Sequence, residues 1–377
     1  MKNLITTLIT MFMFVAFSEA QPSNRATKKT DIHQYLTIRL HGGLVIPHHP
    51  SMMYFIEDYS KGFEINYGRT VFSEDSWQST FNYPEIGLGL YYGTFGNKNI
   101  YGAGLAFFPY INYNIYRSNR ITLQNRVSMG LGYVNHPFDI DDNPYNSIFS
   151  SHLNIYIRLG LLFDYRINKN FSLSASGALT HLSNGATKKP NHGINTITTS
   201  IGTKYHFNSK NTPSVRKTKP ELSHKREVLI GGNFGRSQSN RYNNQKYWNT
   251  SINIQHLWYL NKKRALGLGF DQFYTESIPF AWMEFANGEL PEDLNSSYYW
   301  INGLYASYNV FLGKTTLYVN IGKYLHTKMK PPETIYPRIG IRHYLGNHLI
   351  ANFSVKASFF RAEFLEFGLG YRFKYKQ

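Results

Sequence analysis

In the stretch Leu153-Asn154-Ile155-Tyr156-Ile157-Arg158-Leu159-Gly160-Leu161-Leu162-Phe163-Asp164-Tyr165-Arg166-Ile167 every odd position is apolar, and the even positions are mostly polar or glycine. Successive side chains of a β-strand point to opposite faces, so this run presents one apolar face and one polar or small face. The same period recurs on both sides of it. From Ile121 to Tyr133, Leu123, Val127, Met129 and Leu131 oppose Gln124, Arg126, Ser128 and Gly130, with Asn125 the one exception. At the C-terminus, Leu365, Phe367, Leu369, Tyr371, Phe373 and Tyr375 oppose Glu366, Gly368, Gly370, Arg372 and Lys374. Strands of soluble sandwiches run to about 5–6 residues. A tilted membrane strand needs about 9–11, with lipid outside and a polar lumen inside. Alternation sustained over a dozen residues therefore predicts an all-β protein, an antiparallel transmembrane β-barrel of the outer-membrane kind. The aromatic-rich strand ends suit interfacial girdles, and a secreted soluble β protein is the plainer alternative.

Eight candidate strands precede Phe207, near 34–43, 60–69, 85–95, 99–112, 119–134, 151–167, 170–184 and 194–207. Eight more follow Lys225, near 226–236, 249–260, 264–275, 297–312, 314–325, 335–345, 347–360 and 362–375. Between them, 208–225 is basic, contains Pro and Ser, lacks periodicity and reads as a linker or long turn. This divides the chain into a first barrel region, 21–207, and a second β half, 226–377. Either about 12–16 strands form one barrel that contains both halves, or two smaller barrels sit side by side; periodicity does not choose.

Composition bounds the chemistry. The 377 residues include no cysteine, which excludes disulfides, thiolate nucleophiles and Cys-ligated zinc. A hydrophobic fraction of 42% with 16% aromatics excludes a disordered chain. The mean hydropathy of −0.38 excludes a polytopic helical membrane protein but not a barrel. Lys2, the apolar run Leu4–Phe17 and the small-x-small end Ser18-Glu19-Ala20 predict a signal peptide over 1–20, cleaved after Ala20. The expectation is an exported protein of the outer membrane. Its net charge of +17 then fits an anionic membrane surface rather than nucleic acid.

The segment Leu179-Thr180-His181-Leu182-Ser183-Asn184-Gly185-Ala186-Thr187-Lys188-Lys189-Pro190-Asn191-His192-Gly193-Ile194-Asn195 carries the chemistry. Phe171, Leu173, Ala175 and Leu179 share a face with His181 and Ser183; beyond the turn, Asn195 shares one with Ile197, Ile201 and Tyr205. Three polar residues thus interrupt an apolar face, and a register pairing 183 with 195 would gather them at one rim. Residues i and i+2 face the same way, so an imidazole can reach the hydroxyl, take its proton and be held by a third polar group, the logic of a Ser-His hydrolase. A solvated rim pair is the bland reading of the same spacing.

The composite His181-x-Ser183-Asn184 and Pro190-Asn191-x-Gly193-x-Asn195 resembles the active-site signature of the PagL-type outer-membrane lipid A 3-O-deacylases. The run from Tyr83 through Gly87, Gly89 and Tyr91 to Gly130-Leu131-Gly132-Tyr133 is similar to the longer, acyloxyacyl-hydrolase-like members. The resemblance covers 31–207. It implies hydrolysis of the ester-linked acyl chain at the 3-position of lipid A, on the lipid-facing side of a barrel; no cofactor is expected. Ser183 would be the nucleophile and His181 the base. Asn184 would orient the site or stabilise the oxyanion, and the Gly185 backbone would be a further donor. Lys188, Lys189 and Asn191 would stand on the substrate side, the lysines toward the phosphates of lipid A, the partner implied within lipopolysaccharide. The family's third member is a glutamate fourteen residues after the histidine, and Asn195 stands there. An amide holds a ring without balancing its charge. Asp139, Asp141, Asp142 and Glu85 are alternative acids, and a degenerate, inactive deacylase is the corresponding alternative.

Other features carry less. His48, His49 and His192 lack the spacing of a metal set and read as loop histidines. The Gly-x-Gly pairs beginning at Gly87, Gly130, Gly267 and Gly368 lie in strands, so they relieve crowding on the lumen side or bend the barrel rather than cradle a dinucleotide. Glu276, Glu284, Glu289, Glu292 and Asp293 share one solvated loop. A porin or structural barrel is the rival from another class; it predicts ion conductance and indifference to changes at Ser183.

Overall fold

The computed structural model describes residues 30–74, 76–207, 225–238, 245–280, 283, 289–329, 333–359 and 361–375. The expected signal peptide, all of the expected linker except Lys225, and Glu284 lie outside the described residues.

Eight strands form the first unit: β1 (Asp31–Ile46), β2 (Ser60–Phe72), β3 (Glu85–Thr94), β4 (Ala103–Arg117), β5 (Ile121–Val134), β6 (Leu153–Arg166), β7 (Phe171–Ser183) and β8 (Ile194–His206). Each pairs antiparallel with the next, and β8 returns to β1 from Tyr35↔His206 to Ile46↔Asn195, so the sheet closes. The second unit repeats the plan with β9 (Arg226–Gln238), β10 (Lys246–Asn261), β11 (Arg264–Thr275), β12 (Trp300–Leu312), β13 (Thr315–Thr327), β14 (Ile335–Leu345), β15 (Leu349–Ser358) and β16 (Arg361–Tyr375), closed by β16 on β9. Two barrels of eight strands replace the alternative of a single barrel of 12–16. All sixteen expected strands form. The largest displacement is β4, expected at 99–112. Asn97 Oδ1 accepts the N–H groups of Asn99 and Ile100 (2.9 and 3.1 Å), and Gly102 adopts φ +70°, so the chain turns there instead of extending.

Side chains sort by parity as the alternation requires. Along β6, Leu159, Leu161 and Phe163 are exposed on the outer face, while Tyr156, Arg158, Leu162 and Asp164 are buried in the lumen. The first lumen is filled around Glu64, whose carboxylate receives Arg39 and Arg126 at 2.9 Å, Arg158 at 3.2 Å and the His41 ring at 3.5 Å. Lys204 bridges Glu85 (2.7 Å) and Asp164 (2.8 Å). In the second lumen Arg338 joins Asp271 (3.0 Å) to Glu366 (2.7 Å), and Tyr336 donates to Asp271 at 2.9 Å. Aromatic side chains fill the remaining space where glycine admits them. A Cβ on Gly89 would stand 2.3 Å from the Phe108 ring, and one on Gly87 would stand 2.5 Å from the Tyr110 hydroxyl, so the expected relief of crowding is what these glycines supply.

Among the described residues, Glu64 is the one carboxylate joining three guanidinium groups. Removing one partner of a buried ion cluster costs about 3–5 kcal/mol, because the remaining charges stay buried without compensation. Glu64→Ala is therefore expected to lower the unfolding free energy of the refolded protein in urea by that order. Lys61→Ala, in the exposed Lys61–Asp58 pair, should leave the midpoint in place.

Candidate active site

Parity on β7 puts His181 and Ser183 on the face of Leu173 and Leu179, and parity on β8 puts Asn195 on that of Ile197 and Ile201. The register differs from the expected pairing of 183 with 195: His181 stands opposite Asn195, and Leu182 opposite Ile194 is the last pair. The reason lies in the connecting loop. Gly193 adopts φ +71°, and its N–H reaches Ile148 O at 3.3 Å while that of His192 reaches Ser147 O at 3.3 Å. This anchors the returning chain so that Ile194 and Leu182 both enter the barrel core. A shift of two residues preserves the faces, so the three polar side chains still meet.

They meet as a hydrogen-bonded chain. The Ser183 hydroxyl lies 2.9 Å from His181 Nε2, and His181 Nδ1 lies 2.7 Å from Asn195 Oδ1. With Nδ1–H donating to the amide oxygen, Nε2 keeps a lone pair for the Ser183 proton, which is the tautomer a general base needs. Ser183 is 9% exposed, so the pair is largely shielded from water. None of the alternative acids takes the place of Asn195. Glu85 is in the lumen with Lys204 and Asn112, and Asp139 caps its own turn by accepting the N–H groups of Asp141 and Asp142 (3.0 and 3.2 Å).

Asn184 is buried, and its side-chain NH2 donates to the hydroxyls of Ser150 and Ser151, both at 3.0 Å; its backbone N–H donates to Asn191 Oδ1 at 3.1 Å. These bonds tie the β5–β6 loop and the β7–β8 loop to the end of β7. Gly185–Lys189 is grouped with the second compact unit, where Gly185 adopts φ +63° and the Lys189 N–H donates to Gln238 Oε1 at 3.1 Å. Lys188 and Lys189 are half-buried. The loop histidines pack together: His49 stacks on His192 at 4.1 Å, and His48 Nε2 lies 2.9 Å from His192 O. The sequence reading missed that His48 Nδ1 also lies 3.3 Å from Asn195 Nδ2.

Closed antiparallel barrels with apolar outer faces and charged, filled lumens define an outer-membrane β-barrel protein. Residues 61–204 match the family model "Lipid A 3-O-deacylase (PagL)", and residues 226–375 match "Acyloxyacyl hydrolase, C-terminal domain". Together the two models span well over half of the chain, which belongs to the PagL-type lipid A 3-O-deacylase and acyloxyacyl hydrolase family as one of its longer members. Among solved structures, the outer membrane enzyme PagL is similar at TM-score 0.34 and 15% identity, covering 44% of this chain and 97% of that one. Neisserial surface protein A (NspA) is similar at TM-score 0.30 and 12% identity, covering 48% and 100%. No curated protein sequence matches.

Gly193 is pressed against the site: a Cβ there would stand 2.9 Å from His181 Cε1 and 3.0 Å from Ser183 Cβ, in a backbone conformation that side chains rarely adopt. Gly193→Ala should displace the ring or the hydroxyl and reduce labelling of Ser183 by a lipophilic fluorophosphonate roughly ten- to a hundredfold. Gly177→Ala, with nothing within 4 Å of the new methyl, should label like the wild type. Equal labelling of both variants would refute the role of this contact.

Proposed function

We propose that the protein is an outer-membrane esterase that removes the ester-linked acyl chain at the 3-position of lipid A, with Ser183, His181 and Asn195 acting on the lipid-facing side of the first barrel. The observation that carries this reading is the Ser183–His181–Asn195 hydrogen-bond chain at 2.9 and 2.7 Å on the apolar face. In the reaction, Ser183 Oγ attacks the ester carbonyl carbon while its proton passes to His181 Nε2. The tetrahedral intermediate collapses, the ester C–O bond breaks, and the sugar hydroxyl leaves with the proton from His181. Water then attacks the acyl-Ser183 ester with His181 again as base. The carboxylic acid departs, and Ser183 regains its proton.

Asn195 Oδ1 holds the ring by accepting from Nδ1–H but supplies no charge to the imidazolium that forms in each half-reaction. Asn184 and Asn191 brace the loops beside the nucleophile. Gly185 is assigned as an oxyanion donor from its place two residues after Ser183. Lys188 and Lys189 are assigned to the lipid A phosphates on charge and placement in the sequence. The charged side chains that fill the first lumen favour this reading over a solute channel there.

The test is mass spectrometry of lipid A after incubation with the refolded protein. Wild type should remove one ester-linked 3-hydroxyacyl chain, and Ser183→Ala should remove none. Asn195→Glu should raise the rate roughly tenfold or more, because a carboxylate stabilises the imidazolium where an amide does not. An unchanged lipid A mass with a folded wild type would overturn the proposal for this substrate.

A further inference from the structure

An asparagine in the third position of a Ser-His site has a weakness that a glutamate lacks. A carboxylate only accepts hydrogen bonds, so either oxygen directs Nδ1–H of the histidine inward and leaves Nε2 free as a base. A side-chain amide has two unlike ends. With Oδ1 toward His181 the ring is in the productive tautomer. If the amide turns over, its NH2 faces Nδ1, the ring proton moves to Nε2, and the ring no longer accepts the Ser183 proton. Something must therefore fix which end of Asn195 faces His181.

We propose that His48 does this: it is a positioning residue that locks the Asn195 amide, and through it the tautomer of His181, by accepting a hydrogen bond from Asn195 Nδ2. The inference rests on the esterase reading for its effect on rate, but not for its effect on the tautomer. Its geometry is directional from end to end. The Ser183 hydroxyl donates to His181 Nε2 (2.9 Å), His181 Nδ1–H donates to Asn195 Oδ1 (2.7 Å), Asn195 Nδ2–H donates to His48 Nδ1 (3.3 Å), and His48 Nε2–H donates to the His192 carbonyl (2.9 Å). The carbonyl at the end of the chain can only accept, so it sets the direction of every bond back to Ser183. The competing arrangement, with a proton on His48 Nδ1 directed to Ile46 O, has the longer separation of 3.4 Å.

The fold holds His48 for this role. β1 pairs with β8 through Ile46↔Asn195, so two residues beyond the last pair the chain is still beside Asn195. There the chain bends into a helical turn, Pro50–Met53, whose Met52 N–H donates to His49 O at 3.0 Å and whose Met52 side chain is fully buried in the core. The His49 ring stacks on His192, the residue whose carbonyl receives His48. One loop therefore fixes both ends of the lock.

The experiment uses the full-length protein refolded in detergent, with two readouts. In the lipid A assay, His48→Ala should lower kcat about two- to tenfold, the worth of one neutral hydrogen bond, with KM unchanged. His48→Gln, which supplies an acceptor oxygen, should restore most of it. In the Asn195→Glu background His48→Ala should have no effect, since a carboxylate has no wrong end. Nitrogen-15 NMR of the histidine rings, with His181 assigned by comparison with His181→Gln, should show the Nδ1–H tautomer in the wild type and a mixture in His48→Ala. An unaltered rate in His48→Ala, or an equal loss with Asn195→Glu, would overturn the proposal, the second by revealing only a structural disturbance. If the wild type releases no acyl chain, the esterase reading falls while the NMR comparison still decides this one: an unchanged His181 tautomer in His48→Ala refutes the lock, and a mixture upholds it.

Discussion

A sheet set in hydrocarbon cannot leave an edge, because each unpaired N–H or C=O there costs several kcal/mol and no water is present to satisfy it. The pairings of β8 with β1 and of β16 with β9 meet that constraint, and the rest of the architecture follows from them. Closure at eight strands leaves a lumen just wide enough for side chains. The charges that parity directs inward must then neutralise one another at close range. Glu64 with its three arginines and Arg338 with its two carboxylates are the results in the two barrels. Large aromatics and strand glycines occupy the remaining space in pairs such as Gly89 with Phe108.

The same closure assembles the candidate site. His181 and Ser183 need only the period of one strand to lie on one face. Asn195 needs the β7–β8 register, which the Gly193 turn and the buried Leu182–Ile194 pair determine. His48 arrives only because the first strand is the neighbour of the eighth. The site is thus built from contacts of increasing sequence separation, each dependent on the one before. An open sheet of the same eight strands would keep the His-Ser pair and lose His48.

That order also explains what was legible in the sequence. Period-two alternation is a local property of residues such as 153–167, so all sixteen strands and their faces could be read from it. The faces of His181, Ser183 and Asn195 followed from parity, and the family was readable from the spacing of the hairpin motif. The number of barrels was not, because closure of β8 on β1 rather than continuation into β9 is a non-local pairing that leaves no mark on the alternation. The hairpin register was misjudged by two residues because it depends on backbone bonds from 192 and 193 to Ser147 and Ile148 in another loop. His48 read as a loop histidine for the same reason: nothing near residue 48 in the sequence speaks of residue 195.

Asn195 for glutamate is best understood as an exchange between two costs. On the proposed lipid-facing surface a carboxylate would bring a formal charge toward hydrocarbon, with a desolvation penalty that persists through the resting state. Its benefit appears only while the histidine is protonated. An amide removes the resting charge and gives up that transient stabilisation, and it introduces an ambiguity of orientation that a carboxylate does not have. In the proposed site the hydrogen bond to His48 removes the ambiguity without a carboxylate, along a chain that runs from Ser183 to the His192 carbonyl. A site of this proposed kind demands more of its geometry than one with a carboxylate, since direction rather than Coulomb attraction would keep the base in its working tautomer. That demand fits a glycine at position 193, where a Cβ would stand 2.9 Å from the His181 ring, and a loop held by His49, Met52 and His192.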